Sequence, residues 1–457
     1  MSSHNVITWG FEFDFSYKVV EKLKQDPRVD VLYSFGGNGY GDPITLKQLD
    51  EGNFTYKHRE LPVALLEYMK DHRQRFQWTY NRLYEKYQEH TLFHIENEFM
   101  RYIYFFFDVL EKTPCDTVIF SYTPHTAPAF VFYHVAKFKG IRTIILRGSK
   151  FANRIYQYED IDDYGYFKTS KAIGTPKAVP LEKTHKIKWY LQGEKYAYTN
   201  LTSRKRLIKW IRKSDNVRVF VSAIAQDGFP LKSFYLPFLR LFRFKAYAKE
   251  LKAHFSHDAD LSQPFVYFAL HLQPEVTTTL FGRQYHDQML AVEKLSSKLP
   301  DGWWIYLKDH PRQSGYQRDK NFFKRLSELK NVKLLPSNQD PYELLEKCQF
   351  AATISGSAAW EAINGGKPGL IFGQPWYLTF PGIHIFRDDI TVEEITKSSF
   401  SHEDLLEHTE NFFTLLGKGN IEKQVPITLD DDQESSRDPD KNATLISEVV
   451  FKLLFPA

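Results

Sequence analysis

Cysteine is nearly absent from this chain: Cys115 and Cys348 are the only two in 457 residues, and they lie far apart. That excludes a disulfide framework and a cysteine zinc cluster, and it suits a reducing compartment. No His/Asp cluster has metal-ligand spacing either, so no metal site is expected. Long apolar runs are missing as well. Nothing approaches the ~18 uninterrupted apolar residues of a membrane-spanning helix. The opening MSSHNVITWGFEFDF lacks the positive segment and apolar run of a secretory signal, so a cytoplasmic protein is expected. There is no GxxxxGK[ST], and no glycine fingerprint follows the first predicted strand, which leaves a P-loop and a dinucleotide site unsupported.

What is present is ordinary in bulk and uneven in detail. Hydrophobic residues make up 42% and charged residues 25%, as in globular proteins, and the length allows two to four domains of roughly 150 residues. Aromatic residues reach 16%, which predicts extensive ring packing and makes a stacking or sugar-binding surface a candidate. The net charge of +4 conceals a basic block: Leu201 to Ala253 holds 13 Lys and Arg against 3 Asp and Glu. Such a block fits a solvated helical face or an anionic membrane surface. A nucleic-acid partner is not expected, because no nucleic-acid module accompanies it. Trp210, Phe238 and Phe242, set among Arg204 to Lys213 and Arg240, Arg243 and Lys245, would suit peripheral attachment to anionic lipid.

Hydrophobic patterning predicts an α/β fold. VITWG (6–10), a helical pattern over 15–23 and VDVLYSF (29–35) open the chain as a βαβ unit, followed by helical text from about 61 to 112. A strand at 117–121, a helix at 127–138 and a strand at 141–146 continue the alternation, whereas 151–200 has no clear pattern. The pattern restarts at 265–270 and runs through strands at 303–307, 332–335, 350–353 and 369–372, each separated from the next by a helix. The second half therefore reads as a doubly wound parallel sheet, whose ligands bind beyond the carboxyl ends of the strands. The expected divisions are an N-terminal domain at 1–258 and a C-terminal domain at 259–425. An acidic loop and a terminal helix at 426–457 would follow.

The residues just after those strands carry the chemistry. His271, Gln273, Pro274 and Glu275 follow the first, and Lys308, Asp309, His310, Pro311 and Arg312 follow WWIYL. Ser355, Gly356 and Ser357 follow FAAT and enter a helix bearing Glu361. A Ser-Gly-Ser turn at a helix start offers hydroxyls and free N–H groups at a positive dipole end, which suits phosphate. Glu361 could accept from ribose hydroxyls, and Lys308 and His310 could supply charge or donors to the same phosphate. A nucleotide or nucleotide-sugar site is expected here. The alternatives are an N-cap turn, a strand-terminating turn and a solvated glutamate.

The stretch YLKDHP, followed by NVKLLPSNQDPYELLEKCQFAATISGSAAWEAINGGKPGLIFGQPWY, resembles the nucleotide-sugar-binding half of bacterial capsule polysaccharide biosynthesis glycosyltransferases. That group includes retaining Kdo transferases and resembles the polysialyltransferases. The resemblance covers about residues 265–385, through His310-Pro311, the Ser355 to Ser357 turn, Glu361 and Gly366 to Pro368. It implies a GT-B architecture of two Rossmann-like domains facing a cleft, no catalytic metal, no cofactor, and a terminal helix packed back on the first domain. It assigns His310, Ser355 and Ser357 to the phosphate of a CMP-sugar, with Gln273, Lys308, Pro311, Gly356 and Glu361 completing the donor site. The implied partners are a nucleotide-sugar donor and a glycan or glycolipid acceptor at the inner membrane surface. Relatives often carry an acidic-acidic-Gly motif with a catalytic carboxylate. The nearest text is Glu159-Asp160-Ile161, without the Gly, which makes Asp160 and then Glu159 the catalytic candidates. Asp162, Asp163, Glu12 and Asp14 stand behind them. Arg147, Lys150 and Arg154 would steer an anionic sugar. A CDP-polyol phosphotransferase of the teichoic-acid type and a non-catalytic assembly subunit remain as rivals.

Overall fold

The computed structural model describes residues 3–11, 14–37, 42–84, 91–186, 245–310, 313, 318–336, 338–422 and 438–456. Two six-stranded sheets carry the chain. The first uses β1 (His4–Trp9), β2 (Val29–Phe35), β3 (Thr117–Phe120), β4 (Arg142–Gly148) and β5 (Arg154–Tyr158). The second uses β6 (Phe265–Ala269), β7 (Trp304–Lys308), β8 (Val332–Leu335), β9 (Phe350–Thr353), β10 (Gly369–Ile371) and β11 (Ile383–Ile385). A two-residue strand, β12 (Gly417–Lys418), returns to the first sheet and pairs antiparallel with β5.

The second sheet is parallel throughout, in the order β8-β7-β6-β9-β10-β11. Counted from its own first strand this is 3-2-1-4-5-6, the order of a Rossmann domain. Its central strands read as apolar runs because helices cover both faces. One face buries Phe268, Leu307, Phe350 and Leu370, and the other buries Phe265, Tyr306, Ala351 and Leu345. In the first sheet β2, β1, β3 and β4 are parallel, with neighbours in the order 2-1-3-4.

The text at 61–112 forms two helices, Val63–Tyr84 and Leu92–Lys112, the second capped by Thr91. The unpatterned region after 151 supplies β5, which turns back antiparallel to β4. Among the described residues the aromatic excess goes largely into packing. Trp9, Trp360, Tyr102, Tyr156 and Tyr306 are among the largest fully buried side chains. One apolar cluster runs from the first domain into the second. Tyr164 stacks on Phe281 at 4.5 Å, and Phe151 meets Trp376 at 5.4 Å. The two Rossmann-like domains thus meet through rings, with Asp162 between Arg75 (3.0 Å) and Arg283 (3.3 Å) at the seam.

The chain is back on the first sheet at Gly417, ahead of the boundary at 425 read from sequence. Phe412 causes the early return, since it packs on Phe151, Tyr156 and Phe167 of the first domain. The helix Pro439–Leu454 then lies on the helix Asp14–Gln25, burying Ile446, Val449 and Val450 against Val6, Val19 and Ile144. Deleting a buried branched side chain there removes transfer energy and leaves a cavity. Ile446→Ala should therefore cost about 2–5 kcal/mol in urea unfolding. A loss below about 1 kcal/mol would show that the terminal helix lies outside the cooperative core.

Candidate donor site at the switch point of the second sheet

Strands β6 and β9 are neighbours, but the connection from β6 leads away to β7 and that from β9 leads the other way to β10. The crevice between two such diverging connections is where open α/β sheets bind ligands. Here it is lined by His271 from the β6 end and Ser355–Ser357 from the β9 end. The Ser355 N–H donates to His271 Nε2 at 3.1 Å, and Thr353 Oγ lies 3.0 Å from the same nitrogen. Nε2 must be an acceptor for that bond, so the imidazole carries its proton on Nδ1. Burial, with His310 and Arg318 adding, pulls the His271 pKa down to about 3, and the ring stays neutral. The sequence places His271 directly after β6 among the strand-end residues, but gives it no part in the donor site.

Gly356 precedes the helix Ser357–Asn364 and supplies no side-chain cap to it. A Cβ at Gly356 would sit 2.9 Å from Thr353 Oγ and 3.0 Å from His271 Nε2, so the tight turn needs glycine. Ser355 Oγ donates to Thr277 O at 2.8 Å, and Tyr377 Oη donates to Gly356 O. The turn is thereby held by the segments after β6 and β10, while the helix start has no side-chain cap. Glu361, one turn on, is buried, with Oε1 unpartnered and a hydrogen bond from Ser357 to the carboxylate. Burial raises its pKa to about 7, with the Ser357 bond opposing.

At the β7 end, His310 N donates to Asp309 Oδ1 at 2.8 Å. His310 adds to the lowering of the His271 pKa. Lys308 is the buried last residue of β7. Gln273 differs from expectation. Its amide donates to His286 O at 2.6 Å and accepts from Arg318, so it braces the loop instead of facing a donor. Pro311 lies outside the described residues.

The N-terminal candidates separate. Arg147 lies against the stacked pair of Tyr164 (4.5 Å) and Phe281 (5.0 Å) and donates to Thr123 Oγ at 3.1 Å, so it touches both domains. Arg154 lies over Phe413 and donates to Asn153 O. Lys150 is half-buried, and burial and Arg147 lower its pKa while Glu422 and Glu275 oppose. Glu159 and Asp160 do not reach the cleft. Strand β5 runs back along β4 and delivers Glu159 to Arg142, the first residue of β4 (2.6 Å), and Asp160 to within 3.5 Å of Lys137. Both carboxylates therefore lie toward the amino-terminal edge of the sheet, the edge opposite the ligand crevice. The reversal of β5 is the reason. Asp163 accepts from the N–H groups of Lys168 and Thr169 and is structural. Glu12, the Asp14 side chain and the basic residues Arg204 to Lys213, Arg240 and Arg243 lie outside the description.

Among the described residues, no group of three His, Cys, Asp or Glu side chains is placed to hold a metal, and no helix is long and apolar enough to cross a membrane. Two Rossmann-like domains that meet through packed rings, with a candidate phosphate turn on the second, define the GT-B class of architecture. Within it, residues 241–403 match the model of the family described as capsule polysaccharide biosynthesis protein. No curated protein matches the chain. Similar solved structures include KpsC of Thermosulfurimonas dismutans, described as a beta Kdo 2,7 transferase. It is 10% identical, with 86% of this chain and 98% of that one covered and a TM-score of 0.33. The UDP-GlcNAc 2-epimerase of Methanocaldococcus jannaschii is 12% identical, covering 98% of this chain and 99% of its own at a TM-score of 0.23. At these scores neither bears on what this chain does.

The raised Glu361 pKa carries a sign. The folded state keeps the proton up to about pH 7, whereas the unfolded chain loses it near 4.5, so stability falls as pH rises between those values. Glu361→Gln removes that penalty. It should stabilise the protein at pH 8 by up to about 3 kcal/mol and change little at pH 4.5, measured by urea unfolding. An equal effect at both pH values would place the Glu361 carboxyl in an ordinary solvated setting.

Proposed function

We propose that this protein is a glycosyltransferase of surface-polysaccharide synthesis, taking a sugar from a nucleotide donor bound at the β6/β9 switch point. The observation that carries the reading is the bond from the Ser355 N–H to His271 Nε2 at 3.1 Å. It joins the two diverging strand ends and sets the Ser355–Ser357 turn at the mouth of an uncapped helix. The family match over residues 241–403 spans this site. In this reading the donor phosphate takes the helix N–H groups and the Ser357 hydroxyl, and His310 donates to it as the nucleotide departs. Glu361 holds the ribose, losing its proton to accept from the ribose hydroxyls. A CMP-linked acidic sugar such as Kdo is the favoured donor, with Lys150 receiving the sugar carboxylate. The reaction needs no metal or cofactor in this account, because the fixed N–H groups and cations neutralise the leaving phosphate. The acceptor is a glycan or glycolipid, brought to the enzyme at the cytoplasmic face of the inner membrane.

The carboxylate that meets the anomeric carbon is assigned to Glu275 in place of Asp160. Thr277 Oγ donates to Glu275 Oε2 at 3.3 Å, and Thr277 O accepts from Ser355 Oγ, so Glu275 sits beside the phosphate turn and within charge range of Lys150. It could serve as nucleophile in a retaining reaction or as base in an inverting one.

Two outcomes follow. Thermal shift against CMP-, UDP-, GDP- and CDP-linked donors should show one donor stabilising the wild type by about 2.7 kcal/mol at 100 times its dissociation constant, with His310→Ala losing most of that effect. An unchanged response in His310→Ala would remove the site. In turnover assays, Glu275→Gln should fall by about a hundredfold or more with donor binding nearly unchanged, while Asp160→Asn stays near wild type. The reverse pattern would return catalysis to the β5 hairpin.

A further inference from the structure

Beneath the crevice lies one guanidinium that bonds directly to the loops after β6 and β7. Arg318 is almost wholly buried, with its side chain 1% exposed. One terminal nitrogen donates to Gln273 Oε1. The other donates to His271 O at 3.2 Å and to Asp309 Oδ1 at 3.3 Å. Its plane rests on the Phe322 ring, 4.8 Å from the centroid. The first two contacts lie on the loop after β6, and the third lies on the loop after β7. The same Asp309 oxygen accepts from His310 N, and the other accepts from Tyr247 Oη at 2.9 Å. Through His271, whose ring receives the Ser355 N–H, the network also reaches the turn after β9.

We infer that Arg318 is the positioning residue of the donor site, holding His310 and the Ser355–Ser357 turn at the spacing that a single phosphate bridges. This rests on the functional reading above. Arg318 touches no donor atom in this account. A rigid planar fork can bind three acceptors at fixed angles, which a lysine cannot copy. A buried Arg–Asp pair costs about as much desolvation as it gains in attraction, and here Arg318 Nε is buried without a hydrogen-bond partner, so the pair's use is geometric more than stabilising. Tyr247 extends the same control to the helical residues 245–253, which form the end of the basic block and reach Asp309 through its hydroxyl.

The test separates geometry from stability by replacing both charges together. Arg318→Met alone would strand Asp309 as a buried unpaired carboxylate and could unfold the protein. Combined with Asp309→Asn it leaves no buried charge. Binding of CMP and of cytidine is measured by calorimetry, since only CMP carries the phosphate. The wild type should prefer CMP. The double variant should keep its cytidine affinity within about twofold and lose about tenfold of the preference for CMP, because a misplaced phosphate cradle penalises only the phosphate. Tyr247→Phe, which removes one hydroxyl and leaves the ion pair, should shift the preference in the same direction by about threefold. It decides the matter should the double variant not fold. An unchanged CMP preference in the variants overturns the inference alone. A wild type that binds CMP no better than cytidine overturns the phosphate site, and the inference with it.

Discussion

Strands β6 and β9 lie side by side while their connections leave in opposite directions, and the crevice this forces open is the constraint on which the site depends. The first sheet has the same device between β1 and β3. There Ser121 Oγ donates to Gly10 O, and Gly10 takes a positive φ with Tyr122 against it. Each domain thus has a switch point of its own, and Arg147 of the first domain lies against the stacked pair of Tyr164 and Phe281 where the two domains meet. Small residues are required where loops approach one another, which is why Gly356 and the serines stand at the second crevice.

Buried polar groups do most of the shaping at these strand ends. His271 is held neutral by burial and so can accept from a backbone N–H, a role that a charged imidazole could not fill. Arg318 and Asp309 are charged, but each meets the other and further hydrogen-bonding partners, which keeps the cost of burying them bearable. Glu361 follows the opposite course: its carboxyl retains a proton because little nearby satisfies the charge. A site that keeps one carboxyl poised near neutrality and one imidazole far from it can respond to a ligand's hydroxyls and phosphate separately.

Much of this was legible in the sequence, and what was not has physical reasons. The second sheet announces itself because parallel strands buried on both faces are apolar runs, and FVYFA, WIYLK and FAAT are unmistakable on that basis. The strand-end residues His310, Ser355, Gly356 and Ser357 could then be picked out by position. The position of the carboxylate candidates turns on β5. RIYQY is short and flanked by turn formers, and its antiparallel reversal carries Glu159 and Asp160 to the wrong edge, which local patterning cannot reveal. Gln273 misled for a related reason, since an amide at a strand end looks like a ligand contact until its partners at both ends are known. Arg318 had no local signal at all. Its meaning comes from three loops that only the folded sheet brings together.

The most direct measurement is a crystal structure with a nucleoside monophosphate bound. The account predicts the phosphate in the β6/β9 crevice, within hydrogen-bonding distance of the Ser357 N–H and the His310 ring, and the ribose hydroxyls against Glu361. A nucleotide seated at the β1/β3 crevice, or a phosphate that contacts neither Ser357 nor His310, would contradict it.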